Sequence, residues 1–350
     1  MEKLRIGFVG AGAMGQCAHL KNYTVLPDCQ VVALAEPRPQ TAKAVAARYG
    51  VPKVYDDYRR MLVAEKLDAI VASQPFGRHG SMLSEILSAK VPVFCEKPLA
   101  GSVEMGEKVV ATVKSSGTFL MVGYHKRSDP ATVRAKTEID RLRASGQLGC
   151  VKYVRILMPA GDWVAGGFND LIRCDDPPAP DTPDPAPRDM DKATFDAYTA
   201  FVNYYIHQVN LMRHLLGEPY TVAYAEPTGV LFVGRSESGL PCTIEMTPYR
   251  TTVDWQESAL VAFERGYVRL DLPAPLAANR AGRVEVFLDP GGAVAPETVT
   301  PQLPCVHAMR QQAVNFILAV RGKAPPPCGA DEALEDLKIA REYIRLKTGK

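Results

Sequence analysis

The sequence predicts an α/β plus α+β chain: a doubly wound parallel sheet first, then a part built on a mostly antiparallel sheet. Three observations predict it. The first third alternates short apolar runs with stretches of helical period, and a glycine-rich turn follows the first run. The remainder changes to alternating runs separated by Gly and Pro turns. At 350 residues the chain is also long for one core and suits two.

Leu4–Val9, Gln30–Ala35, Asp68–Ala72, Val91–Cys95 and Phe119–Val122 read as strands buried on both faces, being short and apolar with little alternation. Between them, Ala13–Leu26, Pro39–Tyr49, Tyr58–Glu65, Arg78–Lys90 and Val103–Ser116 read as helices. Pro39 suits a first turn, and Gly50 and Gly117 fall just past helix ends. Repeated strand–helix units call for right-handed crossovers. A boundary is expected near Gly123, giving domains over 1–123 and 124–350.

In the second part a helix is expected over Pro130–Ala144 and a strand over Val151–Leu157. An irregular insertion follows over about 159–199, whose centre from Asp175 to Pro187 is too rich in proline for a helix or central strand. Trp163, Phe168, Leu171 and Ile172 give its front half something to bury, so an ordered flap over a cleft is expected. A helix over Phe201–Leu216 leads into runs at Val222–Ala225, Gly229–Val233, Thr243–Thr247, Ser258–Phe263, Tyr267–Leu270 and Val284–Phe287, which suggest a meander. Helices over Val306–Val320 and Asp331–Lys347 close the chain.

Hydrophobic residues make up 47% and charged residues 23%, the balance of an ordinary globular protein. A formal charge of +2 points to no nucleic-acid partner. No apolar run approaches the roughly 20 residues that span a bilayer, so no membrane partner is expected. The first residues run straight into a strand, which leaves no room for a signal peptide and sets the expectation of a cytoplasmic protein. The eight cysteines include no CxxC pair and no Cys/His cluster of zinc spacing, so reduced, mostly buried thiols and no metal are expected.

Gly10-Ala11-Gly12-Ala13-Met14-Gly15 follows the first strand and opens a helical pattern. In that context the motif is a dinucleotide fingerprint. Gly10 permits the turn, Gly12 lets a pyrophosphate approach the backbone, and Gly15 permits close helix packing. The helix N-terminus then holds the diphosphate. Glu36 ends the second strand where an acid bonds the adenosine ribose, which favours NAD; Arg38, two residues on, keeps NADP as the alternative. Lys97, in Glu96-Lys97-Pro98, stands at the carboxyl end of the strand Val91–Cys95, where ligands of open sheets bind. A lysine there trades protons with a substrate hydroxyl.

Gly10–Gly15, Ser73-Gln74-Pro75 with His79, and Glu96-Lys97-Pro98 together resemble the Gfo/Idh/MocA family, the glucose–fructose oxidoreductase and inositol dehydrogenase group. Gly123-Tyr124-His125-Lys126-Arg127 and the ending around Ala324-Pro325 and Asp331–Ala340 are similar to it as well. The resemblance implies a Rossmann domain, then a domain whose large open sheet serves as a homo-oligomer interface, in a dimer or tetramer. It also implies NAD(P)-dependent chemistry on a small carbohydrate-like alcohol or ketone. Lys97 becomes the catalytic lysine, preceding a proline whose peptide bond is cis in many relatives. Pro75 and His79 flank the nicotinamide, and Ser73, Gln74, Glu96 and Lys97 complete the cofactor site. The family's Asp-x3-His pair is matched by Asn203 and His207, with Asn210 one turn on; four-residue spacing lets these address one cleft. Asn203 departs from the family's aspartate, and an amide accepts no proton, which leaves His207 and Lys97, or an acid such as Asp162 or Asp170. Tyr124, Lys126, Arg127, Trp163 and Asn210 are further substrate-binding candidates. Two alternatives stay open: a redox-neutral, NAD-retaining enzyme that cleaves glycosides, and a non-catalytic nucleotide-binding sensor or scaffold.

Overall fold

The apolar runs of the first third become a parallel sheet: β1 Leu4–Val9, β2 Cys29–Ala35, β3 Lys53–Tyr55, β4 Ala69–Ala72, β5 Val93–Cys95 and β6 Leu120–Val122. The structure is a computed structural model that describes residues 2–177 and 182–349. Strand order is β3-β2-β1-β4-β5-β6 with every pair parallel, so the winding reverses between β1 and β4. That reversal is the switch point at which open α/β sheets bind ligands. Ile6, Phe8, Ile70, Val71 and Phe94 are fully enclosed, as strands covered on both faces must be.

The second sheet contains β7 Val151–Ala160, β8 Tyr220–Ala225, β9 Leu231–Ser236, β10 Pro241–Arg250, β11 Glu257–Phe263, β12 Gly266–Leu272, β13 Arg283–Leu288 and β14 Glu297–Val299. Its order is β14-β13-β12-β11-β7-β10-β9-β8, a large open sheet. The expected meander is corrected here. β7 lies in the middle, antiparallel to β11 and parallel to β10, and splits the meander in two. A parallel neighbour needs a long crossover, and the helix Lys192–Leu216 lies in the connection that follows β7. Along β11 buried and half-buried residues alternate, so one face of the sheet carries the core.

Two compact units result, and neither is continuous in sequence. The first holds the chain up to Tyr124 together with Gly166–Thr199 and Met309–Leu337; the second holds His125–Ala165, Ala200–Ala308 and the chain from Lys338. A single cut at 123 therefore does not describe the packing. Phe316 joins an aromatic cluster with Tyr23, Phe94 and Phe119 of the first unit. The Gln16 amide holds the insertion by both ends of one residue, accepting from Ile172 N at 3.0 Å and donating to its carbonyl at 3.2 Å. Trp163 instead packs in the second unit, against Met158, Trp255 and Ala274. The insertion also ends early, because the long helix starts at Lys192 rather than Phe201. Asp191 supplies the reason: its Oδ1 accepts from Thr194 N at 2.8 Å, as an N-terminal cap does. The expected proline-rich centre falls in part outside the described residues.

No helix among the described residues is long and apolar enough to cross a membrane. All eight cysteines are free thiols, five of them buried, while Cys150 and Cys305 are exposed.

Candidate active site

The chain turns sharply after β1 at Gly10, whose φ is +94°. A Cβ at Gly10 would lie 2.2 Å from the Gln74 amide nitrogen and 2.3 Å from Ser73 O, and one at Gly15 would lie 2.4 Å from Gly10 O. Those two glycines serve the protein's own packing. Gly12 is different: a Cβ there would meet nothing within 4 Å. It borders open space in front of the helix that begins at Ala13 and Met14, whose first-turn N–H groups have no partner within the helix. A free space bounded by a glycine and a helix N-terminus fits a pyrophosphate. The helix runs over residues 13–23 and is π-helical across Gly15–Leu20. Ser73, Gln74 and Pro75 follow β4 beside the turn, and Pro75 is exposed.

Glu36, 3% exposed at the end of β2, accepts four hydrogen bonds. Oε2 takes Ala11 N at 2.7 Å and an Arg38 guanidinium N–H at 3.0 Å; Oε1 takes Arg38 N at 3.1 Å and Arg38 Nε at 2.7 Å. Burial pushes its carboxyl up, but Arg38 and the Ala11 N–H outweigh burial and hold it below the usual range. Because a carboxylate has about four acceptor positions, a ribose diol reaches Glu36 only when Arg38 swings away.

Beyond β5 the chain makes a cis peptide at Lys97–Pro98. Glu96 is buried beneath it, with His19 Nε2 at 2.6 Å from Oε1 and Lys97 N donating to Oε2 at 3.1 Å. Burial raises the Glu96 carboxyl, and the bond to His19 with the charges of His19 and Lys97 more than reverses that. His79 is fully enclosed, its Nδ1 2.8 Å from Pro98 O and its Nε2 3.0 Å from Gln74 O. Burial holds its pKa below the ordinary value despite the two carbonyls. The expectation of a cofactor contact at His79 is thereby corrected. At 0% exposure it reaches no ligand, and instead ties the Ser73–Pro75 loop to the turn that carries half-buried Lys97.

In the second unit, a pocket of about 270 Å³ including its open mouth is lined by His125, Lys126, Asp129 and His307 together with residues of the 272–277 turn. Lys126 is 3% exposed and ion-paired with Glu257, which is itself enclosed. Gln208 Nε2 donates to Glu257 at 2.7 Å and Trp255 Nε1 at 3.1 Å, so with Lys126 the acid accepts three hydrogen bonds. Asp129 caps the helix Pro130–Ser145 through Ala131 N at 2.8 Å, and burial raises its carboxyl to about 6. His207 is half-buried, with its ring edge-on to that of His125, centroids 4.5 Å apart.

Three further expectations change. Asn203 is exposed and Asn210 is 1% exposed, so Asn203, His207 and Asn210 do not open on one cleft. Asn210 accepts from Arg127 Nε at 2.8 Å and steadies that side chain, whose guanidinium also donates to His214 Nδ1 at 3.0 Å. Tyr124 is 2% exposed and therefore a core residue. Asp162 spends Oδ1 on the turn N–H groups of Val164 and Ala165. Sequence reasoning missed His19, Glu257, Gln208 and Trp255 altogether, and singled out His125 only as part of a basic stretch. Only a long-range pairing signal would have found Glu257, because its partner Lys126 is 131 residues away.

Residues 4–124 match the family model described as an oxidoreductase family with an NAD-binding Rossmann fold. Over these residues the chain resembles the Gfo/Idh/MocA oxidoreductases. The uncharacterized oxidoreductase YrbE of Bacillus subtilis (strain 168) is 24% identical over 97% of this chain and 93% of its own. The inositol 2-dehydrogenase of Acidothermus cellulolyticus is 34% identical over 42% of each chain, so that alignment spans less than half of the relative. An oxidoreductase from Agrobacterium radiobacter, solved with NAD+, L-tartaric acid and magnesium, shares the fold at a TM-score of 0.71. It is 15% identical, and the match covers 100% of this chain and 98% of that one. Residues 4–124, which match the NAD-binding model, contain both the Gly10–Gly15 cradle and the Lys97 turn.

Proposed function

We propose that the chain moves a hydride between NAD and the carbinol or ketone carbon of a neutral, carbohydrate-like substrate: a sugar, glycoside or cyclitol. The observation that carries this reading is the placing of Lys97 at the carboxyl end of β5, in the same unit as the Gly10–Gly15 cradle, on a turn braced by buried Glu96 and His79. NAD, when bound, supplies the hydride acceptor or donor. Gly10, Ala11, Gly12, Ala13, Met14 and Gly15 hold its diphosphate, Glu36 its adenosine ribose, and Ser73, Gln74, Pro75 and Glu96 border its nicotinamide. Lys97 holds the substrate hydroxyl and exchanges its proton; His207 is the second unit's candidate proton acceptor.

The second unit's pocket supports a neutral substrate. Lys126 is already neutralised by Glu257, and His125 and His307 also line the pocket, where ring nitrogens can hydrogen-bond hydroxyls. The Acidothermus relative's name, inositol 2-dehydrogenase, agrees with a polyol. Lys126 and Trp163 are the further substrate contacts on this reading. A homo-oligomer formed through the second sheet and cytoplasmic residence belong to the same proposal; sedimentation velocity tests the first.

NADH fluorescence of the protein with NAD+ and a panel of sugars, glycosides and cyclitols tests the activity. A signal with one group establishes a net dehydrogenase. Silence across the panel from protein that binds NAD+ would sink it in favour of redox-neutral glycoside cleavage or sensing. Lys97→Met should abolish turnover and leave the NAD+ dissociation constant within about twofold, since the ammonium acts on substrate rather than on the dinucleotide.

A further inference from the structure

The insertion sends one carboxylate back to the nucleotide domain. Asp176 Oδ1 accepts from Gln40 N at 3.0 Å, and Oδ2 accepts from Thr41 N and Thr41 Oγ1, both at 2.7 Å. These donors form the first turn of the helix Pro39–Tyr49, directly after β2 and Arg38. In a dinucleotide fold this is the neighbourhood of the adenosine ribose: an acid at the end of β2 bonds the 2′-hydroxyl, and an arginine nearby accommodates a 2′-phosphate. A helix N-terminus beside such an arginine would complete an anion site.

Here each of those donors is already answered by the chain's own carboxylates. Arg38 is bonded to Glu36, and the N–H groups of Gln40 and Thr41 with the Thr41 hydroxyl are bonded to Asp176. A ribose diol needs only acceptor positions on Glu36, which Arg38 frees by turning away. A 2′-phosphate needs the donors themselves, and would arrive between two carboxylates.

Resting on the nucleotide reading above, we propose that Asp176 is a specificity-determining residue: it occupies the helix N-terminus that a 2′-phosphate would use and so makes the chain selective for NAD over NADP. The insertion thereby acts on the cofactor as well as on whatever substrate the enzyme takes.

Dissociation constants of the full chain for NAD+ and NADP+, and for the fragments 5′-AMP and 2′,5′-ADP, test this by calorimetry without turnover. Asp176→Ala should tighten NADP+ and 2′,5′-ADP by about tenfold, because charge-assisted donors are released, and leave NAD+ within about threefold. Asp176→Asn, which keeps an acceptor but no charge, should give a smaller shift in the same direction. Asp184→Asn is the control for loosening the insertion: Asp184 ties the same segment to Gly80 N at 2.7 Å and Ser81 N at 3.1 Å, at a different helix. It should leave the NADP+/NAD+ ratio unmoved. NAD+ binding with an unchanged ratio in Asp176→Ala overturns the assignment alone, as does an equal shift in Asp184→Asn. Absence of NAD+ binding by the unaltered protein overturns the nucleotide reading and this assignment with it.

Discussion

Asp129→Asn should make the protein's stability less dependent on pH, because the Asp129 carboxyl is buried. Asp129 sits 2% exposed at the N-terminus of the helix Pro130–Ser145, and burial raises its carboxyl from 3.8 to about 6 despite the Ala131 N–H and the Lys126 charge. Glu257, also near, pushes in the same direction as burial. In the unfolded chain the group ionises near 3.8, so between 3.8 and about 6 the folded protein holds the extra proton. Stability contributed by this group is therefore present below the unfolded pKa and lost as pH rises through about 6. About two pKa units at 1.36 kcal/mol each give a loss on the order of 3 kcal/mol at neutral pH. Asparagine keeps an oxygen for the cap and does not titrate. Urea unfolding of both proteins at pH 4 and pH 7.5 should show the asparagine variant gaining about 2–3 kcal/mol relative to the parent at the higher pH. A gap that is equal at the two pH values, or that shrinks, would refute the reasoning.

Gly12→Ala should leave the melting temperature unchanged, because its Cβ meets nothing, yet weaken NAD+ by tenfold or more in calorimetry; Gly15→Ala should destabilise the fold itself, because its Cβ would sit 2.4 Å from Gly10 O. Glu257→Gln leaves the buried Lys126 charge uncompensated and should cost about 3–5 kcal/mol in denaturant unfolding, with much of the loss recovered by Lys126→Met in the same chain. His79→Phe removes the imidazole that lies between the Pro98 and Gln74 carbonyls, leaves at least one of them without its donor and should cost about 2 kcal/mol, with kcat falling more than NAD+ affinity.

Sequence pattern made five of the first sheet's six strands legible because each of those carries its own apolar run. β3 and β14 escaped since they are three residues each and largely exposed, so burial left no imprint on them. The position of β7 between β10 and β11 is a long-range fact, and no local period encodes it. Of the site, the residues with backbone tasks were readable: Gly10, Gly12, Gly15 and the Lys97–Pro98 turn announce themselves by type. The residues that hold those in place were not, because His19 meets Glu96 across 77 positions and Asp176 meets Thr41 across 135. Spacing also misled at Asn210. Four-residue logic places it near the His207 face, but that part of the helix is drawn inward by Arg127.

The replacement of the family's aspartate by Asn203 is best understood from the second unit. Asn203 is exposed and its amide accepts no proton, so the proposed proton chemistry of that helix is assigned to His207. His207 is not an isolated imidazole: His125, 4% exposed, lies edge-on to it at 4.5 Å. On the proposed reading, a carbinol carbon that gives its hydride to NAD leaves the hydroxyl proton to be taken up, and His207 can accept it where the amide of Asn203 cannot.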